Sequence, residues 1–313
     1  MVKNVAVIGA GVMGHGIAQS YASAGFSVYI YDPQEAMLKK AAQLIHASLD
    51  LFVEQGIISS HKKQTVMDNL RYTTDLDIAI QSAQLITEAV PEVLDIKWDL
   101  FNKLEQKISP DVIIASNTST LPLMDMAKHV KHPERMIITH FFNPAQIVPL
   151  VEIVKHEKTT EQVVETMVDI IRQIGKQPVL LQKEVPGFIA NRLQAALVRE
   201  AFYLLQESVA SAKDIDMAVT AGPGFRWSKI GPLQTSDFGG LDTWMRVLDN
   251  LSPVLCKDET SPRMVKEHVE VNELGVKTGK GLFSYEAGEA EKQTYERDLY
   301  FLRMLSLRQQ DNE

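Results

Sequence analysis

The stretch NVAVIGAGVMGHGIAQ, residues 4–19, constrains the fold more than any other part of the chain. In it an apolar run of strand character passes into Gly9, Gly11 and Gly14, spaced G-x-G-x-x-G, with no polar linker between. Read as strand, tight turn and helix, each glycine has a task. Gly9 permits the turn, Gly11 lets backbone N–H groups approach a pyrophosphate, and Gly14 removes the Cβ that would hold helix and strand apart. The spacing alone is weak, because flexible loops produce it by chance. Here a second strand, SVYIYD, supplies the context and ends in Asp32, 23 residues past Gly9. A carboxylate at that point accepts the ribose hydroxyls of an adenosine and repels a 2′-phosphate, so the expected cofactor is NAD rather than NADP. The competing reading of Asp32 is a turn residue before Pro33.

The pattern continues well beyond this unit. The runs VAVIG, SVYIYD, QLITEAV, DVIIASN, RMIITHF, PLVEIV and QPVLLQ alternate with longer helical patterns. That alternation predicts an α/β fold, a doubly wound, mostly parallel sheet covered on both faces. Between Gln34 and Gln55 apolar residues recur at helical spacing over a length that is long for a crossover helix, so this helix is expected to project from the sheet. Character changes at KEVPGFIANRLQAALVREAFYLLQESVAS, residues 183–211, where Pro186 and Gly187 end the sheet domain and a helix apolar on much of its circumference begins. Such a helix is expected to be buried, in its own domain or between subunits. With 313 residues, too many for one compact core, the chain reads as a Rossmann-like domain over 1–184 and an all-α domain over 185–313. The charged stretch from about Glu286 to Glu313 reads as an exposed terminal helix or a tail.

Charge and cysteine usage exclude several functions. A net charge of −8 with a pI near 5.6 argues against a nucleic-acid binder. One cysteine, Cys256, excludes an internal disulfide framework and a cysteine zinc cluster, and reads as a small core residue in a reducing compartment. No metal is expected. The N-terminus enters a strand after three residues, and no apolar run reaches about 18 residues. Neither a signal peptide nor a membrane span is therefore expected, and the expected location is cytoplasmic.

The chemistry must come from groups outside the glycine loop. Three clusters fall near predicted strand ends: SNTS (116–119), THFFNP (139–144) and Glu152 within PLVEIV. Alcohol oxidation needs a base for the hydroxyl proton, an acid to hold that base, and donors for the carbonyl oxygen. His140, Glu152 and Ser119 match those needs. Taken singly, each has an ordinary explanation: a sheet-end salt bridge for the first two, a turn cap for the third.

The glycine motif with Asp32, TEAVPE, ASNTSTL, HFFNPAQIVPLVEI, VPGFIANR and GVKTGKGLFSY together resemble the NAD-dependent L-3-hydroxyacyl-CoA dehydrogenase family over nearly the whole chain. The resemblance implies a Rossmann-like domain followed by a helical domain that forms a homodimer. It also implies a short-chain, 3-hydroxybutyryl-CoA type of substrate. Residue by residue, it makes His140 the catalytic acid/base, Glu152 its partner, and Ser119 and Asn191 the donors to the reacting oxygen. Val12 and Met13 of the glycine loop, Asn117 of SNTS and Asn143 of FFN join the cofactor contacts, with loop positioning as the other reading of Asn143. Glu92 and Lys97 match positions near the cofactor ribose and nicotinamide; a glutamate followed by a lysine on a helix is also ordinary surface chemistry.

Two departures bear on the substrate. Members acting on acyl-CoA carry a serine and, seven positions on, a lysine near the CoA; Ser48 matches the serine, but Gln55 stands at the lysine position, with Lys62 and Lys63 as replacements just beyond. In AGPGFRWSKIGPL the pair Arg226-Trp227 is closer to L-gulonate and carnitine dehydrogenases, relatives that act on free hydroxy acids, and a planar guanidinium suits a carboxylate. Arg226 paired with Asp237 or with another subunit's carboxylate is the alternative.

Overall fold

The computed structural model describes residues 2–310. By contact the chain divides into two compact units, one of Met1–Ile189 with Tyr295–Glu313, the other of Ala190–Thr294.

The first unit is built on eight strands: β1 Asn4–Ile8, β2 Ser27–Tyr31, β3 Leu70–Thr73, β4 Leu85–Glu88, β5 Ile113–Ser116, β6 Met136–Phe141, β7 Leu150–Lys155 and β8 Gln177–Leu181. They lie in the order β3-β2-β1-β4-β5-β6-β7-β8. All neighbours are parallel except β6 and β7. That exception follows from length, because residues 142–149 are too few for a crossover, so the chain must return antiparallel. β4, β5 and β6 are buried at every position, as central strands covered on both faces must be. Strand β3 was not among the expected runs: LRYT is short, half polar and at the sheet edge.

Helices α1 Gly14–Ser23, α2 Glu35–Glu54, α3 Ser60–Asp68, α4 Leu76–Ile80, α5 Leu94–Glu105, α6 Leu123–Met126 and α7 Glu161–Gln173 connect the strands. One buried cluster joins α1, α2 and α7 to the sheet through residues such as Ile17, Ile45 and Met167, and the other joins α5 and α6 through Phe101, Leu104 and Met126. The first part of α2 therefore lies on the sheet, rather than projecting from it. Its last turn carries Leu51 and Phe52 into a separate cluster with Ile147 and Leu302.

The second unit holds α8 Ala190–Gln206, α9 Ala212–Ala221, α10 Pro223–Trp227, α11 Pro232–Gly239, α12 Leu241–Leu251 and α13 Arg263–Glu270. Of the two expected ways to bury α8, the one within its own domain is not found: α8 has no buried residue in the chain. The last helix, α14 Glu289–Gln310, is not simply exposed: Leu302 is fully buried against the first unit's own residues. Residues 311–313 of the expected terminal segment lie outside the described residues.

Candidate active site

The parallel strands put the ends of β1, β2, β4, β5 and β6 on one side of the sheet, where a doubly wound fold binds its ligands. A crevice of about 860 Å³ opens there, lined by Gly9, Gly11, Val12, Met13, Asp32, Glu92, Asn117 and Ser119 among others. Gly9 has φ +104°, and a Cβ on it would stand 2.5 Å from the Ala89 carbonyl oxygen. One on Gly14 would stand 1.8 Å from the Gly9 carbonyl oxygen, whereas one on Gly11 meets nothing within 4 Å. So the first and third glycines serve packing, and the second leaves room. Asp32 anchors the turn: Ala10 N–H donates to Oδ2 and Gln34 N–H to Oδ1, both at 3.0 Å. Each oxygen keeps further acceptor capacity, so this carboxylate suits a pair of vicinal hydroxyls. Open space at Gly11, the N-terminus of α1 and an acceptor at the end of β2 fit a dinucleotide.

On the same side, His140 near the end of β6 pairs in register with Glu152 on antiparallel β7. The side chains meet at 2.8 Å, Nδ1 to Oε2. Against a carboxylate, Nδ1 carries the proton, which leaves Nε2 of the neutral ring as the acceptor. Ile189 N–H donates to the other Glu152 oxygen at 2.9 Å. The imidazole is only 3% exposed, and the rings of Phe142 and Phe188 lie 4.5 and 5.4 Å from it. It does not belong to the crevice lining. Asn117 links the crevice to strand β6: its side-chain oxygen accepts from Phe141 N–H at 2.9 Å, one residue beyond His140.

Between β4 and β5 lies a cluster that the sequence reading only half identified. Glu92 Oε1 accepts from the Thr118 hydroxyl at 2.6 Å, Ser119 N–H at 2.8 Å, Thr120 N–H at 2.9 Å and the Thr120 hydroxyl at 3.1 Å, gathering the SNTST loop around one oxygen. Burial alone would raise the Glu92 pKa, but the Thr118 hydroxyl, the backbone N–H groups and the charge of Lys97 outweigh it and hold the carboxyl at about 2. Lys97 is neither surface chemistry nor crevice lining. At 1% exposure, its Nζ lies 2.7 and 2.8 Å from the two oxygens of Glu88 and 3.3 Å from Glu92. Glu88, fully buried, went unnoticed in the sequence. Its signal was a carboxylate closing the otherwise apolar run QLITE, where an acid needs a partner.

The remaining expected residues lie elsewhere. Asn143 is exposed beside a cis bond to Pro144. The Ser48 hydroxyl on α2 is buried with no partner among the described residues, and Gln55 is the exposed C-cap of α2. Lys63 is ion-paired with Asp50, which also meets His46 at 2.9 Å. In the second unit Asn191 is half-buried on the first turn of α8, and Arg226 on α10 is exposed, with no ion pair to Asp237 or another carboxylate among the described residues.

Comparison with known proteins is consistent from end to end. Residues 4–185 match the 3-hydroxyacyl-CoA dehydrogenase NAD-binding domain, and residues 187–285 match the C-terminal domain of the same enzymes. The chain is 36% identical over 286 residues to 5-formyl-3-hydroxy-2-methylpyridine 4-carboxylate 5-dehydrogenase of Mesorhizobium japonicum, covering 91% of each. It is 36% identical to L-carnitine dehydrogenase of Streptomyces coelicolor over 85% of this chain and 84% of that one. Among solved structures, the pyridine-carboxylate enzyme, described as an NAD⁺-dependent dismutase, superposes with a TM-score of 0.90 at 34% identity, covering 98% of both chains.

Proposed function

The chain belongs to the 3-hydroxyacyl-CoA dehydrogenase family, NAD-dependent oxidoreductases acting on CH–OH, and from that premise we propose that it interconverts a short-chain L-3-hydroxyacyl-CoA and its 3-keto form. The observation that carries this reading is the buried His140–Glu152 pair on the side of the sheet where the glycine crevice opens. Bound NAD supplies the hydride acceptor. The protein's part is to move a proton and hold an oxygen. His140 Nε2 takes the hydroxyl proton in oxidation and returns it in reduction. The imidazolium so formed faces a carboxylate 2.8 Å away in a site with little water to screen it. Ser119, on the crevice wall, donates to the reacting oxygen. For Asn191 as a second donor the family resemblance is the support, and Asn191→Ala tests it. Self-association as a homodimer through the helical unit belongs to the same reading, supported by the uncovered apolar faces of α8 and α12.

A second reading, a free hydroxy carboxylate as substrate, is favoured by specific observations. Gln55 replaces the lysine expected near CoA, and Lys63, its stand-in, is already paired with Asp50. Two relatives are named for substrates that carry a carboxylate and no thioester. In this reading Arg226, with no ion pair among the described residues, is the candidate the resemblance offers for the carboxylate, and Arg226→Ala tests it.

A panel with NADH decides between the two. Acetoacetyl-CoA turned over with kcat/KM at least about 100-fold above the matching free keto acid supports the thioester; the reverse order supports the free acid. Unchanged turnover in His140→Gln overturns the catalytic assignment for either substrate.

A further inference from the structure

Among the described residues, Glu88 is the one fully buried carboxylate of the crevice side that neither the crevice lining nor the proposed proton transfer uses. All of its partners donate. Val90 N–H and Lys97 Nζ reach Oε1 at 2.8 and 2.7 Å, while Lys97 Nζ at 2.8 Å and the Ser116 hydroxyl reach Oε2. An oxygen pair surrounded only by donors is an ionised carboxylate. Among the described residues Lys97 is the sole cation paired with it and is shared with Glu92, so two carboxylates and one ammonium leave the trio with a net charge of −1. The surplus charge is fixed. Glu88 and Lys97 are sealed from water, and Glu92 is clamped by four donors of the Ser119 loop. The surplus also has a direction, because Glu92 is the member that lines the crevice, beside Asn117 and Ser119.

The end of the crevice at Asp32 suits the adenosine ribose, so the end at Glu92 and Ser119, toward His140, receives the nicotinamide. A nicotinamide ring is a cation when oxidised and neutral when reduced. We propose that Glu88, Lys97 and Glu92 form a built-in charge bias that holds the Ser119 loop and favours oxidised over reduced dinucleotide in the crevice. The trio is thereby a positioning and poising device, distinct from the proton-transferring pair. This rests on the dinucleotide reading of the crevice. A unit charge at a half-buried site changes affinity for a nearby cation by about three- to tenfold, while affinity for the neutral form moves little.

The test measures binding, not turnover. Dissociation constants of NAD⁺ and of NADH are determined by calorimetry for the wild type, Glu88→Gln, Glu92→Gln and the double variant Glu88→Gln/Lys97→Met. Either single variant brings the trio to neutrality, and the ratio Kd(NAD⁺)/Kd(NADH) should rise about three- to tenfold. The double variant destroys the buried ion pair but restores a net −1 on Glu92, and its ratio should return to within about twofold of the wild type. Both constants rising together with the ratio unchanged would mean a purely structural role and overturn the proposal. Where Glu88→Gln does not fold, the half-exposed Glu92→Gln decides by the same criterion. Failure of the wild type to bind either form would overturn the dinucleotide reading itself, and the bias with it.

Discussion

The sheet unit closes on itself, and the helical unit does not. In the first, strands β4 to β6 are buried throughout and apolar clusters cover both faces. In the second, Ile215, Thr235 and Cys256 are the only buried residues, while Phe225, Leu233 and Phe238 are 73–85% exposed. Both halves are rich in apolar side chains, so composition does not distinguish them; geometry does. A twisted sheet offers two broad faces that crossover helices cover within one chain. Short amphipathic helices such as α12 need a neighbour for their apolar stripe, and contiguous uncovered surface of this kind marks association. In the proposed reading the proton-transferring pair lies in the first unit and self-association falls to the second.

The sharpest way to break that division is at the base. His140→Ala should lower kcat/KM by about 10³–10⁴-fold in steady-state assays, with NADH affinity and the unfolding midpoint unchanged. A folded variant that keeps turnover would remove the chemistry from the sheet unit. Next in size is the helical unit. Placing glutamates at exposed Leu197 and Leu248 should weaken self-association by about 100-fold or more in sedimentation experiments, leaving NAD affinity within about twofold. A wild type that is already monomeric at micromolar concentration would show that the uncovered faces serve something other than a second copy.

These two regions also differ in how far they could be read in advance. Strands such as VAVIG and RMIITHF declare themselves because a central parallel strand is apolar throughout, and Gly14 and Asp32 follow from contacts local to one turn, as does the positive φ of Gly9. His140 and Glu152 were legible as candidates because both fall near predicted strand ends and match the roles of base and acid; the short connection that sets β6 and β7 in antiparallel register is why they meet. Edge strand β3 was not, since LRYT has no continuous apolar signal. Nor was the anchoring of α14: Leu302 is one buried leucine in a charged helix of weak amphipathicity, and its partners Leu51, Phe52 and Ile147 are distant in sequence. Glu88 was hidden differently: its signal, an acid closing an apolar run, gains meaning only once Lys97, nine residues on, is seen to fold over it. For α8 periodicity correctly gave a helix, but no pattern within one chain says what covers it.

Lys176 tests whether the closed unit tolerates an internal charge. It follows Gly175 at the start of β8, is 7% exposed, and donates to the Val148 carbonyl at 2.8 Å. Burial pulls its pKa down to about 7. In the unfolded chain a lysine titrates near 10.4, so between about pH 7 and 10.4 the unfolded state binds more protons and stability rises with pH. Lys176→Met removes that slope. It should stabilise by about 2 kcal/mol at pH 6, where the buried lysine is charged, and by less at pH 9.5. Urea titrations at the two values check it; a stabilisation that is equal at both, or a loss, would show that the carbonyl contact outweighs desolvation.

The smallest expected effects bear on whether the two units unfold together. Each has a helix opened by a hydroxyl N-cap: Thr160 accepts from Val163 N–H at 3.4 Å at the start of α7, and Ser211 from Asp214 N–H at 3.2 Å at the start of α9. The Ser211 hydroxyl also donates to the Asp214 carboxylate at 2.6 Å, so this cap is doubly tied and the one on α7 is long. Removing the caps should therefore cost about 1 kcal/mol at Ser211→Ala and about 0.5 kcal/mol at Thr160→Ala. Where the loss appears matters more than its size. α7 buries Val163, Val164, Met167, Ile170 and Ile171 against the sheet, so its cap is lost only in the cooperative unfolding of that unit. α9 buries Ile215 alone, so the larger local loss should surface as faster amide exchange confined to residues 212–221, at free energies below the global value. Equal exchange changes in both helices would mean that the helical unit shares the cooperativity of the sheet unit despite its thin interior, and the contrast between the two would then lie in surface chemistry rather than in stability.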